Sequence, residues 1–149
     1  MKKLWMMVVT ATLLSGCALF KDTSTAELNI SASKVLNVRD GGQSSPVILR
    51  VYELSSSVIF KSVDFFALYG NEKNALGDEY IKRHEFQIQP GEESEYYLEL
   101  DPETRTLGYA VAYRDINGST WRTISSIEEI TDHEFIVELK GSQIKVIED

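Results

Sequence analysis

The sequence predicts a mainly β protein: an eight-stranded antiparallel β-sandwich with a short helical insertion between strands two and three. Two observations predict the strands. From Glu27 onward, short runs of alternating or doubly apolar residues recur at regular spacing, as half-buried and central strands do. Strong turn pairs, among them Pro90-Gly91, Asn117-Gly118 and Gly141-Ser142, separate these runs. A third observation predicts the insertion, because residues 55–79 carry helical spacing and helix caps instead.

The chain begins differently. Lys2 and Lys3 supply a positive start, residues 4–14 (LWMMVVTATLL) are an uncharged apolar run, and Ser15-Gly16 are small residues before a cut. These are the three parts of an export signal. The run is well short of the roughly 20 residues a membrane-spanning helix needs. Leu14-Ser15-Gly16-Cys17 looks like the lipobox of bacterial lipoproteins. That resemblance implies a lipidated Cys17, cleavage of residues 1–16, and acylation of the new amino group. Ala18, rather than Asp, after the cysteine implies by the same analogy transfer to the outer membrane. Cys17 is the only cysteine, so any disulfide would have to be intermolecular. Residues 17–26 read as a lipidated tether, followed by one domain over 27–149.

Cleavage before Cys17 leaves 133 of the 149 residues and, with Lys2 and Lys3 gone, moves the formal net charge from −8 to −10. A chain so acidic has no electrostatic reason to bind nucleic acid. Anionic lipid heads would repel it, so membrane contact is expected through the lipid alone.

In the domain, Glu27 to Ala32 alternates, with Leu28 and Ile30 on one face. Pro46 to Leu54 (PVILRVYEL) is apolar on both faces, which predicts a central strand covered on each side. In the insertion, Ser57 is a candidate cap for a first short helix holding Val58, Ile59 and Val63. Asp64 is a candidate cap for a second, Phe65 to Tyr69, stopped by Gly70. Phe60, Phe65, Phe66 and Leu68 are expected to cover one sheet. Tyr80 to Gln89 and Glu95 to Leu100 flank Pro90-Gly91, which suits the inner positions of a type II turn. Thr106 to Asp115 and Thr120 to Ile127 flank Asn117-Gly118, a strong hairpin signal. Glu134 to Lys140 and Gln143 to Ile147 turn at Gly141-Ser142.

No catalytic or metal constellation stands out. His84 and Glu85 are adjacent on a strand and point to opposite faces, so neither orients the other. His133 follows Asp132 in a turn. The acidic residues lack the spacing of a calcium loop. No phosphate loop, zinc pattern or nucleophile elbow is present. Trp121, Tyr109 and Tyr113 read as core, the alternative being a carbohydrate-stacking face of a cell-wall or carbohydrate-binding envelope lipoprotein.

A set of segments in order carries a resemblance: residues 45–54 (SPVILRVYEL), 63–69 (VDFFALY), Leu76-Gly77, residues 89–92 (QPGE), 107–115 (LGYAVAYRD) and Trp121-Arg122. Together with the lipobox they resemble the TssJ lipoproteins of the type VI secretion system, over nearly the whole chain. The resemblance implies a transthyretin-like sandwich with an added helical segment and no enzymatic activity or cofactor beyond the lipid on Cys17. It also implies a place on the periplasmic face of the outer membrane, bound to the periplasmic C-terminal domain of TssM and, through TssM, to TssL. The family's partner-binding region is the loop between the first two strands, here 35–45. Its candidate contacts are Val35, Leu36, Asn37, Val38, Arg39, Asp40, Gly41, Gly42 and Gln43, with Leu36 and Val38 expected as exposed apolar anchors. If strands alternate up and down, Pro90, Gly91, Asn117 and Gly118 lie at the same end, opposite the tether, and are second-rank candidates.

Overall fold

The computed structural model describes residues 23–128 and 130–149; the expected signal, Cys17 and most of the expected tether lie outside them. Eight strands form two four-stranded sheets. The first contains β1 (Thr25–Leu36), β4 (Glu93–Glu99), β7 (Asp132–Gly141) and β8 (Gln143–Glu148), in the order β4-β1-β7-β8. The second contains β2 (Val47–Leu54), β3 (Tyr80–Ile88), β5 (Thr106–Val111) and β6 (Arg122–Ser126), in the order β3-β2-β5-β6.

One pairing departs from the antiparallel expectation. β1 and β7 run parallel, in register from Thr25 opposite Asp132 to Ala32 opposite Leu139. Odd-numbered strands of an up-and-down chain share a direction, so placing β7 beside β1 forces this pairing. β1 is also longer than the sequence suggests. Thr25 and Ala26, assigned to the tether, and Leu36, assigned to the loop, all pair with β7.

Alternation along β1 buries Ala26, Leu28, Ile30 and Ala32 against Val47, Leu49 and Val51 of β2 and Phe135, Val137 and Leu139 of β7. This is the core between the sheets. β2 is covered on its other face too, where Tyr52 and Leu54 pack under the helical segment with Phe60, Leu68 and Leu76. The central-strand reading of residues 46–54 therefore holds.

The helical segment is anchored by long-range contacts. α1 (Phe65–Gly70) is capped by Asp64, whose carboxylate accepts from Phe66 N and Ala67 N, as expected. The earlier helix expected from Ser57 is only a set of turns. Its amides are capped from 20 residues away: Glu79 accepts from Ile59 N at 2.9 Å and Phe60 N at 3.1 Å, and from Ser56 Oγ at 2.5 Å. A second helix, α2 (Glu72–Leu76), starts at Asn71, whose side chain accepts from Asn74 N. Two arginines from the sheet hold the segment down. Arg50 lies 3.6 Å over the Tyr69 ring, and Arg122 donates to the carbonyls of Phe60 and Val63. The Phe60 ring rests on Gly108 of β5, where a Cβ would come within 2.8 Å of it.

Glu53 faces inward near the end of β2 with no exposed surface. Its carboxylate accepts from His84 Nε2 at 2.7 Å, Asp101 N at 2.7 Å and Thr104 Oγ1 at 2.9 Å. It thus ties the β4–β5 connection to β2 and β3. Burial disfavours its charge, but hydrogen bonds from His84, Asp101 and Thr104 outweigh it and hold the carboxyl below its ordinary 4.5. Glu79 is lowered likewise, burial being outweighed by its bonds from Ser56, Ile59 and Phe60.

Both carboxyls are more acidic folded than unfolded. Their contribution to stability is therefore whole above the unfolded value and is lost as pH falls through the folded one. In urea titrations from pH 7 downward, stability should fall off below about pH 4.5. Glu53→Gln should cost about 1–3 kcal/mol at pH 7 and flatten that fall. An unchanged slope in this variant would refute the role given to Glu53.

Candidate functional site

Alternating strands sort the connections into two ends. At one end the chain enters β1: Leu100 N donates to Ser24 O at 2.9 Å and Thr25 Oγ1 to Asp132 Oδ1 at 2.7 Å. At the other end the β1–β2, β3–β4, β5–β6 and β7–β8 connections meet around the last residues of β1. Gly91 N donates to Ser33 O at 3.1 Å, Asn37 N to Gly141 O at 2.8 Å, and Arg114 N to Asn37 Oδ1 at 2.9 Å. The end-to-end separation expected from strand alternation is thus present in the fold.

The candidate loop divides into a root and a tip. Leu36 is fully buried and Asn37 is 4% exposed, which corrects the expectation that Leu36 stands out as an apolar anchor. Its side chain completes the inward row of β1 and packs in the sandwich core. Asn37 takes φ 47°, a left-handed conformation that asparagine tolerates better than most residues. Ser44 Oγ donates to Lys34 O at 2.7 Å and, with Ser45 N donating to Leu36 O at 3.0 Å, closes the root. Beyond it, Arg39 N donates to Gln43 O and Gly42 N to Arg39 O. Gly41 has φ 94°, the sign a type II turn needs at its third position. Val38, Arg39, Asp40, Gly41, Gly42 and Gln43 form this exposed tip, and Val35, 60% exposed, flanks it on β1.

Pro90 and Gly91 occupy the inner positions of the expected type II turn: Glu92 N donates to Gln89 O, and Gly91 has φ 78°. The Asn117-Gly118 hairpin is looser than expected. β5 stops at Val111 and β6 starts at Arg122, because Tyr113 turns into the core and the Arg114 amide bonds Asn37 instead of a strand partner. Gly118 N is held by Asp115 Oδ1 at 3.1 Å.

The two histidines and the strand aromatics are tied into the fold. His84 and His133 pair with Glu53 and Glu148. Tyr109 and Tyr113 are buried, and that burial pushes both phenols up, away from ionisation. Trp121 is half-buried and meets Phe65 edge-on with ring centroids 5.1 Å apart. Tyr109 and Tyr113 are thus core residues, and Trp121 packs at the edge of the helical segment. Among the described residues, no group of three or more His, Cys, Asp or Glu side chains could hold a metal ion.

The model of the family described as type VI secretion lipoprotein (VasD, EvfM, TssJ) matches residues 24–142. The chain belongs to this family. The match runs from the entry to β1 through the β7–β8 turn, so it includes the loop and every other connection at the loop-bearing end. Among solved structures, the type VI lipoprotein TssJ1 from Pseudomonas aeruginosa is 31% identical with a TM-score of 0.82, covering 85% of this chain and 97% of that one. Lip from Serratia marcescens, described as a membrane-bound component of the type VI secretion system, shares the fold. It is 21% identical, with a TM-score of 0.75 over 85% of this chain and 99% of its own. A chain from a structure of the type VI membrane complex is 25% identical, with a TM-score of 0.74 over 83% of this chain and 97% of that one. A search of curated protein sequences finds no match. As a TssJ-family member the chain is a type VI secretion lipoprotein with the family's β-sandwich.

Root and tip should respond differently to truncation. Leu36→Ala is expected to cost about 2–5 kcal/mol of stability, as buried leucines do. Val38→Ala should stay within about 0.5 kcal/mol of wild type. Chemical denaturation of both variants checks this, and equal effects would erase the distinction.

Proposed function

We propose that this lipoprotein anchors the type VI membrane complex to the outer membrane. Lipid on Cys17 would hold it at the periplasmic face, and the tip of the β1–β2 loop would bind the periplasmic C-terminal domain of TssM, which joins TssL. The observation that carries this reading is that the chain enters β1 at one end of the strand and leaves it for the loop at the other. A strand of 12 residues separates them by about 40 Å at roughly 3.3 Å per residue. The residues between Cys17 and Ser24 add at most about 25 Å when extended. The loop would therefore reach away from the lipid, toward a partner rooted in the inner membrane.

The exposed tip suits a protein partner. Val38 offers an apolar contact, Arg39 and Asp40 offer directed polar ones, and the turn carries no regular secondary structure of its own to unmake. The formal net charge of −8 for the whole sequence disfavours binding to anionic lipid heads, consistent with attachment through acyl chains alone. Two or more such chains are needed for stable anchoring. Likeness to a chain of the type VI membrane complex also supports a place in that assembly.

Replacing residues 38–43 with a two-residue turn should abolish capture of the TssM periplasmic domain and leave the urea midpoint near that of wild type. Undiminished capture would sink the loop assignment. Cys17→Ser is expected to give a folded protein that still binds TssM but does not support secretion. Secretion at wild-type levels from that soluble form would remove the anchoring role.

A further inference from the structure

We propose that the partner-binding surface is composite. The β5–β6 connection contacts the same partner as the β1–β2 loop, and Asn37 is the positioning residue that keeps the two in register. This rests on the loop reading above and extends it to a second segment.

Asn37 is 4% exposed, so it offers a partner almost nothing. Yet it is bonded to three segments of the loop-bearing end. Its backbone N–H donates to Gly141 O in the β7–β8 turn at 2.8 Å. Its Nδ2 donates to Pro46 O across the loop root at 3.0 Å, and its Oδ1 accepts from Arg114 N at 2.9 Å. The ring closes where Thr120 N, at the far side of the β5–β6 connection, donates to Ser142 O at 3.0 Å. A connection with no ladder partner for Arg114 is thereby held against the loop before any partner arrives. Such preorganisation lowers the entropy lost on binding. It places two exposed cations, Arg39 and Arg114, on neighbouring connections of an otherwise acidic chain. Guanidinium groups so presented fit a protein surface bearing carboxylates.

The test measures affinity of the full lipoprotein in detergent for the TssM periplasmic domain. Arg114→Glu and Asn37→Gly should each weaken binding about ten-fold; glycine accepts the left-handed backbone and removes only the side-chain bonds. In the Asn37→Gly background the further loss from Arg114→Glu should shrink to about two-fold, because contacting residues are not additive when their register is gone. The Arg114 amide should also exchange faster in Asn37→Gly. A full ten-fold loss in both backgrounds would overturn the positioning role. If Val38→Asp weakened binding while Arg114→Glu did not, the composite surface would fall and the loop reading would stand. If none of these substitutions changed affinity, both would fall. Should Asn37→Gly fail to fold, Asn37→Asp, which keeps the acceptor for the Arg114 amide, must leave the Arg114→Glu effect at full size, and a reduced effect would overturn the proposal.

Discussion

The parallel pairing of β1 with β7 orders the rest of the molecule. β1 is hydrogen-bonded on both sides, to β4 and to β7, so it forms the interior of its sheet even though it is the first strand of the chain. The pairing brings the last hairpin beside the first strand and leaves β4 and β8 as edges. It also aligns the start of β1 with the start of β7 and the end of β1 with Gly141. Chain entry and candidate loop are thereby fixed at opposite ends of one well-supported strand.

Polar side chains then hold distant parts of the chain together. Glu53 joins β2, β3 and the β4–β5 connection, Glu79 caps turns formed 20 residues earlier, and Asn37 binds together the loop-bearing end. Each is a buried or nearly buried group satisfied by partners remote in sequence. Such groups are costly when left unpaired, so each helps select one arrangement of the connections it touches. The two arginines that fasten the helical segment follow the same logic from the outer face of the second sheet.

Much of this was legible where the signal is local. The two apolar faces of residues 46–54, the Pro90-Gly91 turn and the Asp64 cap each depend on neighbours a few positions away, and each is found in the fold. What escaped sequence reading depends on distant partners. The ends of β1 extend because β7 is there to pair with them, and nothing in residues 25–26 or 35–36 announces β7. Ser57 looks like a helix cap, but Glu79 supplies the buried acceptor. Leu36 reads equally well as an exposed anchor or as one more inward residue of a longer strand. Asn37 carried a clue, since asparagine suits a left-handed backbone, but its three partners come from three other parts of the chain. At the candidate site the position of the loop was readable; which of its residues are free to touch anything was not.

The direction of β1 has a mechanical meaning. A load applied between the chain's entry to β1 and the loop at its far end runs along the strand axis. Because both points sit at the two ends of one strand, the load is carried along the covalent backbone of β1 itself and does not cross its ladders to β4 and β7. Twelve residues already extended between those ends leave little slack, and the flanking ladders keep the strand straight. The two ends of this domain are thus joined by a nearly inextensible length of main chain.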